Sequence, residues 1–281
     1  MIIDKSKFAT KEALIDHIVA NKEAIISAKK AVTKEADAIS FYAPAYDTKT
    51  ETDKAQPLST EELLKKDVIR VKVVINTTNI MDSHDDVHMK GTFKRSVKNN
   101  KEFLFLREHK VAFESIITDN AKATLKEYDW SDLGYGYSGK TEALVFDAEI
   151  EKGRNPFMFD QYAKGYVKNH SVGMRYVALE FCANDDRYPS EKANWDKYII
   201  EVVNKQDAED NGYFWAVTEA KVIEGSAVPI GSNRATPTMS VKENNDDSEK
   251  STHEQNNETP DGDITVSKED FRNLLKQTLK N

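Results

Sequence analysis

Hydrophobic and polar positions alternate most regularly in VIRVKVVINT, residues 68–77, where Ile69, Val71 and Val73 stand against Arg70 and Lys72. A period of two sends the two sets to opposite faces of an extended chain and predicts a strand. EFLFL, AFESIIT, AKATLKEY and TEALVFDAEI continue as short strands, and SVGMRYVALEF, KYIIEVV and YFWAVTEAKVIEGSAV follow later. NPFMFDQYAKGYVKN interrupts them as a helix, with Asn155 as its cap and Pro156 at the first helical position, where no N–H is needed. A helical period also opens the chain: Leu14, Ile15, Ile18, Val19, Ile25, Ile26 and Val32 recur within residues 10–39, behind a capping Thr10.

The expected fold class is α+β and predominantly β: a closed or barrel-like sheet that hides its edges, with flanking helices, a helical amino-terminal arm and a disordered acidic carboxy-terminal tail. The boundaries fall at a helical extension and linker over 1–66, a main domain over 67–240, an acidic linker over 241–263 and a short amphipathic helix over 264–281. The acidic linker begins in KENNDDSEKSTHEQNNETPDGD, which has no aliphatic or aromatic side chain to offset the entropy of ordering. In the last segment Ser267 and Asp270 resemble a capping box, and Phe271, Leu274, Leu275 and Leu279 share a helical face.

Composition narrows the class of protein. With 281 residues, 39% of them apolar, the chain can bury one substantial core. A single cysteine, Cys182, excludes an internal disulfide and a cysteine-based zinc site and fits a reducing compartment. No apolar run approaches the roughly 18 residues of a membrane span, and the amino terminus does not read as a secretory signal, so a soluble intracellular protein is expected. The net charge is −8, and residues 243–263 carry eight acidic side chains against one lysine, so the remainder is close to neutral. Nucleic-acid binding is therefore not expected as its main activity.

Four segments hold the residues that could do chemistry. MDSHDDVHMKGTF crowds His84, Asp85, Asp86 and His88; on a strand His84, Asp86 and His88 would share a face as metal ligands, while a surface turn before a short helix explains the same letters. In KEFLFLREHKVAF a buried strand ends near His109, a place from which a rigid element can present a general base. HSVG carries Ser171 but lacks the glycine spacing of a hydrolase nucleophile elbow. VIEGSAVPIGSNRA places Glu224 where it could orient an imidazole. Taken singly, each also reads as an ordinary solvated or structural residue.

In order and in one domain, these segments resemble the tailed-phage prohead (capsid maturation) serine proteases, a family distantly related in fold to herpesvirus assemblin. DSHDDVHMKGTF matches an Asp-Ser-x-Gly-Asp-Val-x-x-x-Gly-Ala-Phe-like opening through Asp82, Ser83, Asp86, Val87, Gly91 and Phe93. FLFLREHK matches a strand closing on a histidine, HSVGM a Leu-Ser-Ile-Gly-Phe-like segment, and EGSAVPIGSNRA a Glu-Val-Ser-Leu-Val-like segment before a Pro-Ala-Asn-like turn. The chain departs from the pattern at Asp85, which stands for glycine, at Met174 for an aromatic, at His170 for an aliphatic residue, and at Gly225.

The resemblance, over about residues 67–240, implies a serine endopeptidase with Ser171 as nucleophile, His109 as base and Glu224 as orienting acid, leaving Ser226 as structural. Asp147 and Glu180, and more remotely His170, stand in reserve for the third role. Backbone amides near Val172 and Gly173, or around Gly231 to Asn233, are the oxyanion-hole candidates. It further implies cleavage of phage scaffold and major capsid protein inside an assembling procapsid in the host bacterial cytoplasm, self-association, and self-processing in the polar segments 45–60 and 241–263. No cofactor, metal, membrane or nucleic acid enters the expectation, and residues 264–281 would act as an address. A non-catalytic capsid assembly or scaffolding protein on a protease-like domain is the alternative, and a metal-dependent hydrolase using His84, Asp86 and His88 a more distant one.

Overall fold

The computed structural model describes residues 3–31 and 58–243. Most of the expected linker at 45–60, nearly all of the acidic linker and the whole terminal helix at 264–281 lie outside those residues.

The opening helical period divides into α1 (Lys11–Ala20) and α2 (Lys22–Ala31). Thr10 caps α1 by accepting the Ala13 N–H at 3.2 Å. Between the helices Asn21 leaves helical geometry, its side-chain amide donating to the His17 carbonyl at 2.8 Å, the local competition that disfavours asparagine inside helices. A short helix absent from the sequence reading, α3 (Thr60–Leu64), starts at a capping box between Ser59 and Glu62.

The strands are β1 (Val68–Thr77), β2 (Asp86–His88), β3 (Glu102–Arg107), β4 (Ile116–Asp129), β5 (Lys140–Glu151), β6 (Asn169–Ala183), β7 (Tyr213–Val228) and β8 (Thr238–Glu243). Helices α4 (Lys94–Asn99), α5 (Pro156–Ala163), α6 (Pro189–Tyr198) and α7 (Lys205–Asn211) flank them, so the protein is a mixed α and β fold around a strand-rich sheet. Asn155 caps α5 as expected. KYIIEVV is not a strand: it completes α6 and a 3-10 turn over Ile199–Glu201. Its apolar residues Tyr198, Ile199 and Val202 pack with Trp195 and Phe214 from the side of a helix led by Pro189.

The sheet runs β6-β7-β3-β4-β5-β1-β8, with the short β2 beside β7. It is open, which corrects the expectation of a closed or barrel-like sheet. The two edge strands β6 and β8 share no ladder; the gap is bridged by side chains, with Thr238 Oγ1 donating to the Val167 carbonyl at 2.8 Å and His170 N–H donating to Thr236 Oγ1 at 3.1 Å. Pro237, which has no N–H to give to a ladder, stands where closure would have to begin.

One face of the sheet is dry. Val71, Val73 and Ile75 of β1 pack with Phe103, Phe105 and Phe146, and Leu14, Ile15, Ile18 and Ile25 of the amino-terminal helices belong to the same core. Lys29 of α2 reaches into the domain to meet Asp86 of β2 at 2.5 Å, both side chains almost fully buried. Tyr176 donates to the other oxygen of Asp86 at 2.8 Å, and the Lys29 ammonium also lies 5.2 Å from the Trp215 ring. An unneutralised carboxylate so deep would be costly, so these contacts fasten the helices as well as neutralising the charge.

Candidate active site

Strand β7 is where the predicted residues meet. It pairs with β6 along its whole length in the antiparallel sense, and on its other side with β2 and then β3 in the parallel sense. Ser171 lies directly opposite Ser226, and Gly173 directly opposite Glu224. Directly opposed residues share a face, as do residues two apart, so Ser171, Gly173, Glu224 and Ser226 all point to one side. Val172 and Gly225 face the core instead: a Cβ on Gly225 would come within 2.6 Å of the Phe146 ring.

His109 arrives from the end of β3. Arg107 to Lys110 make a tight turn, closed by Lys110 N–H to the Arg107 carbonyl at 3.1 Å, with φ of 55° at Glu108 and 56° at His109. Left-handed φ at both central positions is the pattern of a type I′ turn, normally built from glycine, asparagine or aspartate. Here glutamate and histidine adopt it. The His109 N–H donates to Ser226 Oγ at 3.1 Å, and the ring Nδ1 pairs with Glu224 Oε1 at 2.6 Å. Ser226 donates in turn to Glu224 Oε2 at 2.7 Å, so both carboxylate oxygens are engaged.

A neutral imidazole that donates from Nδ1 carries its lone pair on Nε2. That atom is buried and has no hydrogen-bond partner among the described residues. The site is closed: Ser171 is 7% exposed and the His109 side chain 5%.

Gly173 is explained by the same geometry. A Cβ there would sit 1.9 Å from Glu224 Oε1, so only glycine leaves room for the carboxylate to lie across β6. A β-bulge between Gly173 and Met174 shifts the ladder at this point.

The residues held in reserve are elsewhere. Asp147 on β5 holds Arg70 Nε at 2.6 Å, and Glu180, far along β6, accepts from the Tyr198 hydroxyl at 2.8 Å. His170 points to the opposite face from Ser171, fully buried, with Nδ1 on the Thr236 carbonyl and Nε2 on the Tyr162 hydroxyl, each at 2.9 Å. Burial pushes its pKa down to about 4, against the hydrogen bond to Thr236, so it is neutral near pH 7. Of the oxyanion candidates, the Gly231 to Asn233 loop abuts the start of β6, where a Cβ on Gly231 would lie 2.7 Å from the His170 carbonyl oxygen. Cys182 is buried, and burial pushes its thiol well up, away from a reactive thiolate.

The acidic and histidine cluster of the first motif does not converge on a point. Asp86 is bonded to Lys29 and Tyr176, His88 Nε2 lies 3.3 Å from the Tyr176 hydroxyl, and Asp82 accepts the His84 and Asp86 N–H groups. Among the described residues no three His, Cys, Asp or Glu side chains gather as a metal site would require. Asp85, where the resembled pattern has glycine, has φ of 60°, and its carboxylate is bonded by Lys5, Asn211 and Tyr213. None of the described helices is long and apolar enough to cross a membrane.

Two features escaped the sequence reading: the left-handed turn that presents His109, and the exposed apolar residues Val111 and Phe113 that follow it, 81% and 92% exposed. Compared with protein-family models, with curated proteins and with solved structures, the chain matches none.

Proposed function

We propose that the protein is a serine endopeptidase of the prohead-protease kind, with Ser171, His109 and Glu224 as its catalytic residues. The observation that carries this reading is the buried pair of His109 Nδ1 and Glu224 Oε1, formed by a glutamate on the face of the sheet to which Ser171 points and leaving Nε2 without a hydrogen-bond partner among the described residues. Glu224 fixes the tautomer and stabilises the imidazolium. His109 Nε2 takes the hydroxyl proton as Ser171 Oγ bonds to the carbonyl carbon of a peptide. It then returns that proton to the amine as the C–N bond breaks. Water attacks the acyl-enzyme with His109 again as base, releasing the acid and restoring the serine. Left-handed backbone at Asp85 and at Gly91, the two positions where the resembled opening motif carries glycine, supports the family likeness independently of the triad. Val111 and Phe113 offer apolar contact to the side chains of a peptide.

The substrates in this reading are scaffold and capsid-protein segments, and the chain's own polar segments, cut within a procapsid in a bacterial host. Intact mass over time of wild type and Ser171→Ala, each alone and with the coat protein, is the test. Fragments from wild type only are expected. Closure of the site around Ser171 favours a second reading, an assembly protein on a protease-like domain. Folded wild type that leaves coat protein whole and resists a fluorophosphonate would establish that reading instead.

A further inference from the structure

The resemblance leaves Ser226 with a structural part, but its bonds are not those of a packing serine. It is fully buried, and most side-chain hydrogen bonds go to backbone or water rather than to another side chain. The Ser226 hydroxyl gives its single proton to the Glu224 carboxylate at 2.7 Å and accepts the main-chain N–H of His109 at 3.1 Å. The geometry points to Ser226 as the positioning residue of the Glu224–His109 pair, an inference that takes its catalytic meaning from the reading above.

Two loose parts are held by this one atom. A glutamate carboxylate turns about a broad terminal torsion, and the bond to Oε2 is what keeps Oε1 aimed at Nδ1. The turn that carries His109 is strained by left-handed φ at consecutive residues, and the bond from its N–H ties the second of them to β7. Ser226 also sits opposite Ser171 in the ladder, so acid, base and nucleophile are each one contact or one register position from it. Removing the hydroxyl leaves a buried carboxylate oxygen short of a donor and a buried N–H short of an acceptor, and the ring is then free to drift. Misplacement by an ångström is worth about 100-fold in rate.

The test compares wild type, Ser226→Ala, Ser226→Thr and Ser226→Cys by two readouts. The first is the far-downfield proton resonance of the His109 Nδ1–H hydrogen-bonded to a carboxylate, assigned by its loss in His109→Gln. The second is the rate at which a fluorophosphonate modifies Ser171. Ser226→Ala is expected to lose or broaden the resonance and to label about 10- to 100-fold more slowly, while Ser226→Thr keeps both near wild type. If Ser226→Ala does not fold, Ser226→Cys, similar in volume but a weaker donor, must show the same two losses. A variant without the hydroxyl that folds, keeps the resonance and labels within about twofold of wild type overturns the inference. Should wild type itself resist the fluorophosphonate while the resonance responds to Ser226 as stated, the protease reading fails and the positioning role stands.

Discussion

Gly173→Ala places a methyl group where the carboxylate of Glu224 now lies. The backbone of Gly173 is open to any residue, so the effect comes from space alone: the new carbon would be 1.9 Å from Oε1, 2.8 Å from Cδ and 3.0 Å from Cγ. Ordinary contact needs about 3.5 Å, so the carboxylate must retreat by roughly 1.5 Å. That retreat breaks at least one of its bonds to His109 and Ser226, at 2.6 and 2.7 Å. Overpacking costs about 1–3 kcal/mol, of which about 0.5–1 is recovered because alanine stiffens the unfolded chain. The displaced acid should slow fluorophosphonate labelling of Ser171 by about 100-fold. Gly225→Ala is the control, since its methyl would meet the Phe146 ring at 2.6 Å on the core side. It should cost similar stability in a urea titration and change labelling by no more than about threefold. Gly173→Ala combined with Glu224→Asp, which withdraws the carboxylate by one methylene, should regain part of the lost rate. Equal labelling by Gly173→Ala and wild type, with the expected loss of stability, would refute the argument that carboxylate position activates the serine.

Lys29→Met strands the buried carboxylate of Asp86 and should lower unfolding free energy in urea by about 3–5 kcal/mol; a loss under about 1 kcal/mol would mean that α2 is not fastened by this pair. The neutral, buried His170 must take up a proton on unfolding below its unfolded pKa of 6.5, so the stability it contributes is complete above that value and is lost as pH falls toward about 4. The loss should reach about 3 kcal/mol, seen as a pH-dependent urea midpoint that His170→Phe flattens over this window; an unchanged slope would sink the assignment. Asp85→Ala and Asp85→Gly lose the same bonds to Lys5, Asn211 and Tyr213, but only alanine bears the cost of φ at 60°, so it should be the less stable by about 1 kcal/mol. Equal melting of the two variants would show that the backbone there is not strained.

The start of β1 was legible because it buries one face, which writes itself as a period of two, whereas β6 and β7, buried on both faces over most of their length, were legible as runs of apolar, aromatic and β-branched residues. Whether the sheet closes depends on what its edge strands pair with, and alternation within a strand carries no trace of that. KYIIEVV misled because its aromatic and β-branched residues favour strands, while the proline that starts α6 lies upstream of it. Nothing near Lys29 in the sequence marks its burial, because its partner Asp86 lies 57 residues away. At the site, the residue types at His109, Ser171 and Glu224 could be matched to the resembled motifs, and their meeting across β7 follows from topology. The turn at Glu108 could not be read, because turn chemistry predicts left-handed φ at glycine or asparagine and not at glutamate.

That turn also gives a reason for regarding the site as more than a strand connection. A protein that needed only to pass from β3 to β4 could carry asparagine and glycine at 108 and 109 at no conformational cost. Instead glutamate and histidine sit there at about 1–2 kcal/mol each. At His109 the cost is offset by a ring bonded to Glu224 and an N–H bonded to Ser226. Glu108 is exposed, its side chain paired with the still more exposed Lys110 at 2.6 Å, a contact worth less than about 1 kcal/mol. Glu108→Asn, which keeps the turn and suits it better, should therefore raise stability by up to about 1 kcal/mol and leave Ser171 labelling as it was. If this variant melts lower than wild type instead, the turn is not strained at Glu108, and the left-handed backbone at His109 loses its standing as a feature held in place by the site.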